Sequence, residues 1–591
     1  MKLVVNKFTY KKIAYLFFRT VKNLKRINKY YLFFTMLITM LLSLSPTLNI
    51  IALKELTNAI QVYPDTRFPM YMYIIFFFMI SLVTLLLTKY NEYMTFCFSN
   101  RISYHINIQI LNKTKSMSLS DFENPDIYNK IQRAEAQSDE VLFNYFLNFL
   151  SLIGSAITIL SSLALIIFWR WWFVILILLV SFFRSIVMIK YGRQKFTIHT
   201  SRTSNERRKW YYSYLLKNDL SFKEIKIYQL HKSFLNKYKK IFNDFFIQDR
   251  EIQIKMDIVD FFLSLVGAII QILLIFFGTY DAALKRILIG DAISFIQGGN
   301  NIRNGSDGFM TTLATIVTSS LYLEQLFDFL DLETEIPNKR GVELSEPIKK
   351  IEFKNVSYKY KSSNEFTLKN INMTLDSNCR YYLVGRNGSG KSTLAKILLN
   401  LYDDYEGTIE INGVNLKTIA FSSYWEKIGI LFQDYTKYEL TLRENITFSE
   451  KPSKSKDSKL IKTLRQLDND FLITLPLNQQ LGFWFDNGVQ LSGGQWIKIA
   501  ISRALQRNPS LLILDEPNAS LDNISEKKLL NLIQNATEDK ISLIITHRLK
   551  NIDPLNSVIL FMEDGKICDQ GNTVDLLNKN KSFAELYNAE K

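Results

Sequence analysis

Cysteine and histidine are scarce here: the chain has 3 of one and 4 of the other in 591 residues. Cys97, Cys379 and Cys568 lie far apart, so no pair has the short spacing of a metal knuckle or a thiol redox motif. Four scattered histidines complete no zinc constellation. A reducing compartment suits Cys379 and Cys568, and Cys97 reads as a small buried side chain. Acidic residues are missing from positions 1–30, which carry nine Lys or Arg. Residues 190–256 contain no proline and no glycine after Gly192, which suits continuous helices.

What the chain has in quantity is apolar surface, unevenly spread. Its residues are 48% hydrophobic, and Phe, Leu, Ile and Val crowd Tyr31–Leu53, Met70–Leu87, Val141–Ile189 and Ile258–Tyr280. A membrane crossing needs ~20 such residues, and the third run is long enough for two. Its interruption, Trp169-Arg170-Trp171-Trp172, is an aromatic and cationic cluster of the kind that sits at a bilayer surface, so the run is split there. Five crossings follow. Net charge is +16, and it tracks topology. Residues 190–256 carry sixteen Lys or Arg, whereas 54–69, 169–172 and 281–290 together carry five. That asymmetry places the N-terminus in the cytoplasm and removes the case for nucleic acid as a partner. The long basic start and full-length apolar run also argue against a cleaved signal peptide.

From about residue 348 the pattern changes to short buried strands alternating with helices, an α/β domain. "YYLVGRNGSGKST" places Gly385-Arg386-Asn387-Gly388-Ser389-Gly390-Lys391-Ser392-Thr393 between a strand and a helix, the context of a P-loop. There, main-chain N–H groups wrap phosphates, Lys391 neutralises them and Ser392 ligates Mg²⁺. "LLILDEP" ends a buried strand with Asp515, placed for the metal, and Glu516, placed to polarise an attacking water. "IITHR" delivers His547 to the same rim as a γ-phosphate contact, and "ILFQD" delivers Gln433, which can reach metal or water. Tyr360 is the candidate for stacking on adenine. ATP and Mg²⁺ are thus the expected ligands.

A domain that uses ATP is cytoplasmic, as is the N-terminus, so the number of crossings must be even. The sixth must lie between Asp291 and Phe327, which contains "FIQGGNNIRNGSDGF". Such a helix is tolerated where it lines a bundle interior or a water-filled cavity. Gln297, Asn300, Asn301, Arg303, Asn304 and Asp307 then lie at mid-depth, with Arg303 and Asp307 spaced to pair. The alternative is an extracellular loop with the crossing at Met310–Leu326. Arg184, near the cytoplasmic end of an apolar span, reads as snorkelling. Segments 90–140 and 190–256 read as cytoplasmic extensions, with turns at 118–129, where Pro125 breaks the helix, and at 217–228.

A second phosphate-type helix start follows at Ser492-Gly493-Gly494-Gln495, with no lysine. It is half a site, able to serve only a nucleotide held elsewhere. Two copies packed head to tail would clamp each other's ATP, so a homodimer is expected.

Gly385–Ser392, Gln433, "LSGGQ", "LLILDE", "ASLD" ending in Asp522, and His547, in this order, resemble an ABC-transporter ATPase. Six spans ahead of one such domain resemble an ABC exporter half-transporter. The resemblance implies a six-span helical transmembrane domain followed by an α/β P-loop ATPase domain. Boundaries are expected at 1–30 (basic cytoplasmic segment), 31–327 (membrane domain), 328–347 (linker) and 348–591 (nucleotide-binding domain). It also implies that Asp522 joins the nucleotide site, that ATP closes the two ATPase domains, and that the cavity then switches from inward- to outward-open.

"LFQDYTKYELTLRENI", "LGFWFDNGVQLSGGQWIKIA", "SFKEIKIY" and "LEQLFDFL" further resemble the lanthipeptide (lantibiotic) exporters of the nisin type. In most ABC exporters Gly-Glu-Arg-Gly precedes the signature; here Phe485-Asp486-Asn487-Gly488 stands instead. The implied cargo is a leader-bearing peptide moved intact, because the residues before the first span hold no cysteine for a leader-cleaving protease. Lanthipeptide modification enzymes are implied as further partners, and a Lys-, Asn- and Ile-rich composition points to a bacterial plasma membrane. The alternatives are an exporter of drugs or lipids, and a membrane-tethered ATPase with a signalling or immunity role.

Overall fold

The computed structural model describes residues 10–63, 68–124, 126–127, 130–131, 134, 141–332, 341–361, 363–449, 451–467, 471–517, 523–536, 540–552 and 557–589. The chain divides into two compact units, Met1–Lys115 with Pro125–Glu333, and Ser116–Asn124 with Thr334–Lys591.

The first unit is helical: α1 (Tyr10–Ile27), α2 (Lys29–Val62), α3 (Met70–Thr114), α5 (Val141–Ser201), α6 (Thr203–Lys217), α7 (Asp219–Ile227), α8 (His231–Ala283) and α9 (Ile289–Leu330). The helix α4 (Leu119–Glu123) belongs to the second unit. Among the described residues four helices, α2, α3, α5 and α8, are long and apolar enough to cross a membrane. Helix α5 breaks at Arg170, whose φ of −146° and ψ of 81° are not helical. The break falls inside the Trp169–Trp172 cluster, so α5 supplies two crossings and the apolar helices supply five.

The polar segment in which a sixth crossing was expected is α9, and it is helical throughout. It packs through small residues. A Cβ at Gly299 would stand 2.6 Å from Leu274 Cδ1 on α8, and one at Gly305 2.9 Å from Ile159 Cγ1 on α5. Close backbone approach of this kind replaces the hydrophobic drive that lipid cannot supply. Hydroxyls add cross-helix bonds, as where Thr47 of α2 meets Ser161 at 2.7 Å and Ser162 at 3.1 Å on α5.

Two sequence expectations need correction here. Arg303 and Asp307 do not pair; Asp307 Oδ2 accepts instead from Arg184 Nη1 at 2.7 Å. Arg184 does not snorkel: its Nε and Nη2 also donate to Asp260 at 2.6 and 2.9 Å. A guanidinium fork matching one carboxylate while its third nitrogen reaches another outweighs escape to the interface. At the other end of α9, Arg19 of α1 donates to both carboxylate oxygens of Asp331 at 2.6 Å and lies 3.9 Å over the Phe327 ring.

The second unit has a six-stranded sheet in the order β10-β9-β3-β8-β7-β6, with β3 (Arg380–Val384), β6 (Ile428–Leu431), β7 (Leu511–Asp515), β8 (Ile541–Ile545) and β9 (Ser557–Glu563) parallel. β10 (Lys566–Gly571) is antiparallel at the edge. β7 and β8 are buried at every position, as continuous apolar runs inside a parallel sheet must be. A second, antiparallel sheet of four strands runs in the order β2-β1-β4-β5, with β1 (Lys350–Tyr358), β2 (Leu368–Asp376), β4 (Glu406–Ile411) and β5 (Val414–Asn415). Register decides what meets at the rim. Leu383 pairs with Ile545, Leu431 with Leu514, and Asp515 with Ile545. The carboxyl ends of four strands therefore point to one place, where open parallel sheets bind ligands.

Candidate active site

The loop after β3 runs Gly385–Gly390 into the helix Lys391–Leu398, here α10. Gly388 and Gly390 have φ of +81° and +105°, a region that only glycine enters without strain. Gly385 is fixed by space, since a Cβ there would run into the Met562 carbonyl of β9. Lys391 Nζ donates to the carbonyls of Gly385 at 2.8 Å and Arg386 at 2.9 Å, inside its own loop. Burial lowers its pKa, against the pull of Glu516 and Asp515. Ser389 Oγ is buried with no hydrogen-bond partner among the described residues. An orphaned hydroxyl and an ammonium satisfied only by loop carbonyls fit a cradle built for phosphate oxygens. Thr393 Oγ1 meets the Tyr360 hydroxyl at 2.9 Å, so the aromatic candidate is held against the P-loop helix. Asn387 is exposed, and Arg386 stands 3.8 Å from Glu585.

Across the rim, Asp515 is buried at the end of β7, and the Ser392 hydroxyl bonds to it. Desolvation raises its pKa above the ordinary carboxylate value; the Ser392 bond works in the other direction. Glu516 follows with φ of +49°, uncommon and strained for a residue with a side chain, pinned by its N–H donating to Ile545 O at 3.0 Å. Both its oxygens are held. Gln433 Nε2 donates to Oε2 at 3.2 Å, and His547 Nε2 stands 3.0 Å from Oε1. The structure thus gathers Gln433, Glu516 and His547 around one carboxylate. Ser392, Asp515 and the Gln433 amide offer hydroxyl, carboxylate and carbonyl oxygens, a donor set that fits a hard divalent cation such as Mg²⁺.

Ser492 caps the helix Gly493–Gln506, α11. Its N–H donates to Gln495 Oε1 at 2.8 Å, and its Oγ accepts from the Gln495 N–H at 3.3 Å. Tyr435 donates to Gly493 O at 3.3 Å. Among the described residues no hydrogen bond joins Ser492, Gly493, Gly494 or Gln495 to the P-loop, Asp515, Glu516 or His547. Asp522 lies outside the described residues.

Sequence reasoning missed Tyr402. It is buried, stacks on Tyr358 with centroids 5.2 Å apart, and lies edge-on to Tyr360 at 5.6 Å. Its hydroxyl donates to Glu123 Oε1 of α4 at 2.8 Å. One tyrosine among 30, in no motif, gives no signal on its own.

Residues 368–519 match the ABC transporter family. The subtilin transport ATP-binding protein SpaT of Bacillus subtilis is 36% identical over 501 residues, 84% of this chain and 81% of that one. The nisin transport ATP-binding protein NisT of Lactococcus lactis subsp. lactis is 35% identical over 595 residues, 99% and 98% of the two chains. An ATP-dependent lipid A-core flippase of Haemophilus influenzae (strain 86-028NP) is 31% identical over 313 residues, 52% of this chain and 51% of its own. In fold, a solved bacterial Atm1-family ABC exporter with ATP bound matches with a TM-score of 0.79 at 19% identity, covering 95% of this chain and 98% of that one. A multi-pass helical domain ahead of a single P-loop ATPase domain, similar over nearly its whole length to dedicated transport proteins, places the chain in the ABC transporter family, as an exporter half-transporter that couples ATP hydrolysis to transport.

Proposed function

We propose that the protein is a homodimeric exporter in a bacterial plasma membrane that moves a peptide, a leader-bearing lanthipeptide precursor, out of the cytoplasm. The observation that carries this is similarity to the nisin transport protein over 99% of the chain, membrane half included. The membrane half is where cargo is chosen. Similarity to the lipid flippase covers only 52% of the chain, and α9 brings asparagines, an arginine and an aspartate into the bundle where a lipid path would be apolar. Lanthipeptide modification enzymes are proposed partners at the cytoplasmic face.

Residues 31–327 form the transport domain in this reading and 348–591 the motor. Arg386, Asn387, Gly388 and the rest of the P-loop wrap the triphosphate, with Lys391 on its outer oxygens and Tyr360 on the adenine. Ser392, Asp515 and Gln433 hold Mg²⁺, which supplies charge neutralisation on the phosphates. Glu516 takes a proton from the attacking water, and the Gln433 and His547 bonds fix its carboxylate for that role. Ser492, Gly494 and Asp522 serve the nucleotide of the second copy.

The test is the ATPase rate of the protein in lipid nanodiscs, with and without a leader-bearing lanthipeptide precursor, and with Glu516→Gln as the blank. Stimulation by precursor but not by leaderless core supports the reading. A response to lipids or amphipathic drugs with none to precursor overturns the cargo and leaves the exporter.

A further inference from the structure

Two arginines and two aspartates meet inside the helix bundle, and they are unequally paired. Arg184 takes both carboxylates: Asp260 by two hydrogen bonds of 2.6 and 2.9 Å, and Asp307 by one of 2.7 Å. Ser181 Oγ adds a bond of 3.1 Å to the other oxygen of Asp307. Both aspartates are therefore committed to α5. Arg303, one turn before Asp307 on α9, makes no ion pair and no hydrogen bond with any described residue.

Space has been left for that guanidinium. It lies against α8 at Gly267, where a Cβ would stand 3.2 Å from Arg303 Cζ and Nη2. Arg303, Gly267, Arg184 and Asp307 line a small open cavity of about 20 Å³, to which Ser264 and Gln271 contribute further hydrogen-bonding groups. The remaining wall is mostly aliphatic. An arginine at membrane depth with no counter-ion in contact is an anion site by its chemistry, because five donors in a planar fork fit a carboxylate with two parallel bonds.

We propose that this cavity is a carboxylate-binding subsite on the transport path. Arg303 takes an acidic side chain or the C-terminus of the cargo, and Arg184 is kept from competing by its two aspartates. The inference rests on the peptide-exporter reading above. The four charges cancel as a group, so the field drawing an acid from a distance is weak. Selection occurs at contact, by fork geometry.

The experiment measures binding of a fluorescently labelled lanthipeptide precursor to the full-length protein in nanodiscs. The comparison peptide has every Asp and Glu replaced by Asn and Gln and an amidated C-terminus. Wild type should prefer the acidic peptide by about tenfold, the scale of one charge-assisted contact. Arg303→Gln should bring the two within about twofold, and Arg303→Lys, a point charge without the fork, should fall between. Gly267→Ala keeps the charge but crowds it, so it must narrow the ratio too; it carries the test if Arg303→Gln does not assemble. An undiminished preference in both Arg303→Gln and Gly267→Ala, or equal binding of the two peptides to wild type, overturns the subsite while the peptide reading stands. Binding of neither peptide overturns the peptide reading, and the subsite falls with it.

Discussion

Tyr402 donates its hydroxyl to Glu123 Oε1 at 2.8 Å, so a buried side chain of the ATPase core holds the helix α4. The same tyrosine touches Tyr360, whose hydroxyl meets Thr393 at the start of the P-loop helix. Leu119 of α4 packs on the same apolar cluster as Tyr358 and Tyr402. A chain of contacts therefore joins the P-loop helix to a short segment whose chain neighbours on both sides belong to the membrane unit.

Tyr402→Phe removes one hydrogen bond and keeps the ring stack. The net loss should be about 1 kcal/mol, roughly fivefold in the local opening equilibrium. Amide hydrogen exchange over Ser118–Glu123 should rise by that factor, with β7 and β8 unchanged. Unchanged exchange at α4 would mean that Leu119 packing and the Lys361–Ser120 contact hold it without the tyrosine.

Glu516→Gln keeps shape and volume while removing the base. Hydrolysis should fall by about 10² to 10⁴, the usual worth of a positioned general base, while ATP still binds because Lys391 and the loop amides are intact. Phosphate release and nucleotide-binding titrations separate the two effects. A variant that loses both together would place Glu516 among the binding groups instead.

The grouping of Gln433, Glu516 and His547 was legible because each follows a buried strand, and buried strands announce themselves as apolar runs: "LLILD" before Glu516, "LIIT" before His547, "ILF" before Gln433. The same logic located the break at Arg170. It was less informative where partners come from distant helices. Arg303 and Asp307 are four apart on α9 and were expected to pair, yet Asp307 answers to Arg184, more than a hundred residues earlier. Helical spacing shows only which residues share a face. Tyr402 and Glu123 were invisible for the same reason, since nothing local marks a hydrogen bond between segments so far apart in the chain.

Asp515 gives a pH signature. Burial raises its pKa above the ordinary 3.8, so the folded state holds this proton more tightly than the unfolded chain does. Stability from this group is then present at low pH and is lost as pH rises from 3.8 through the raised value. Asp515→Asn lacks the titration. In thermal melts without nucleotide, the difference between wild type and variant should move in favour of the variant as pH rises from about 4 to about 7. Adding Mg²⁺ and ATP should stabilise wild type more than the variant, which keeps Lys391 and the loop amides but loses a metal-facing carboxylate. A difference independent of pH would show that desolvation of Asp515 is offset within the fold.

Arg184 carries the last prediction. It lies on the second arm of α5, and its two aspartates lie on α8 and α9, so one side chain ties three helices together. Replacing one partner of a desolvated ion pair costs more than replacing all of them, because the survivors keep their charge and lose its compensation. Arg184→Gln leaves two carboxylates in the bundle. Asp307 can turn toward Arg303 one helical turn away, but among the described residues Asp260 pairs with Arg184 alone. These side chains are 22–34% exposed, so the expected loss is about 1–3 kcal/mol, below the figure for full burial. Adding Asp260→Asn should recover most of it, and adding Asp307→Asn as well should recover little more. Scanning fluorimetry of the three proteins in one detergent reads the order directly. If Arg184→Gln melts with wild type, the triad does not hold these helices together, and water or lipid headgroups neutralise the aspartates instead.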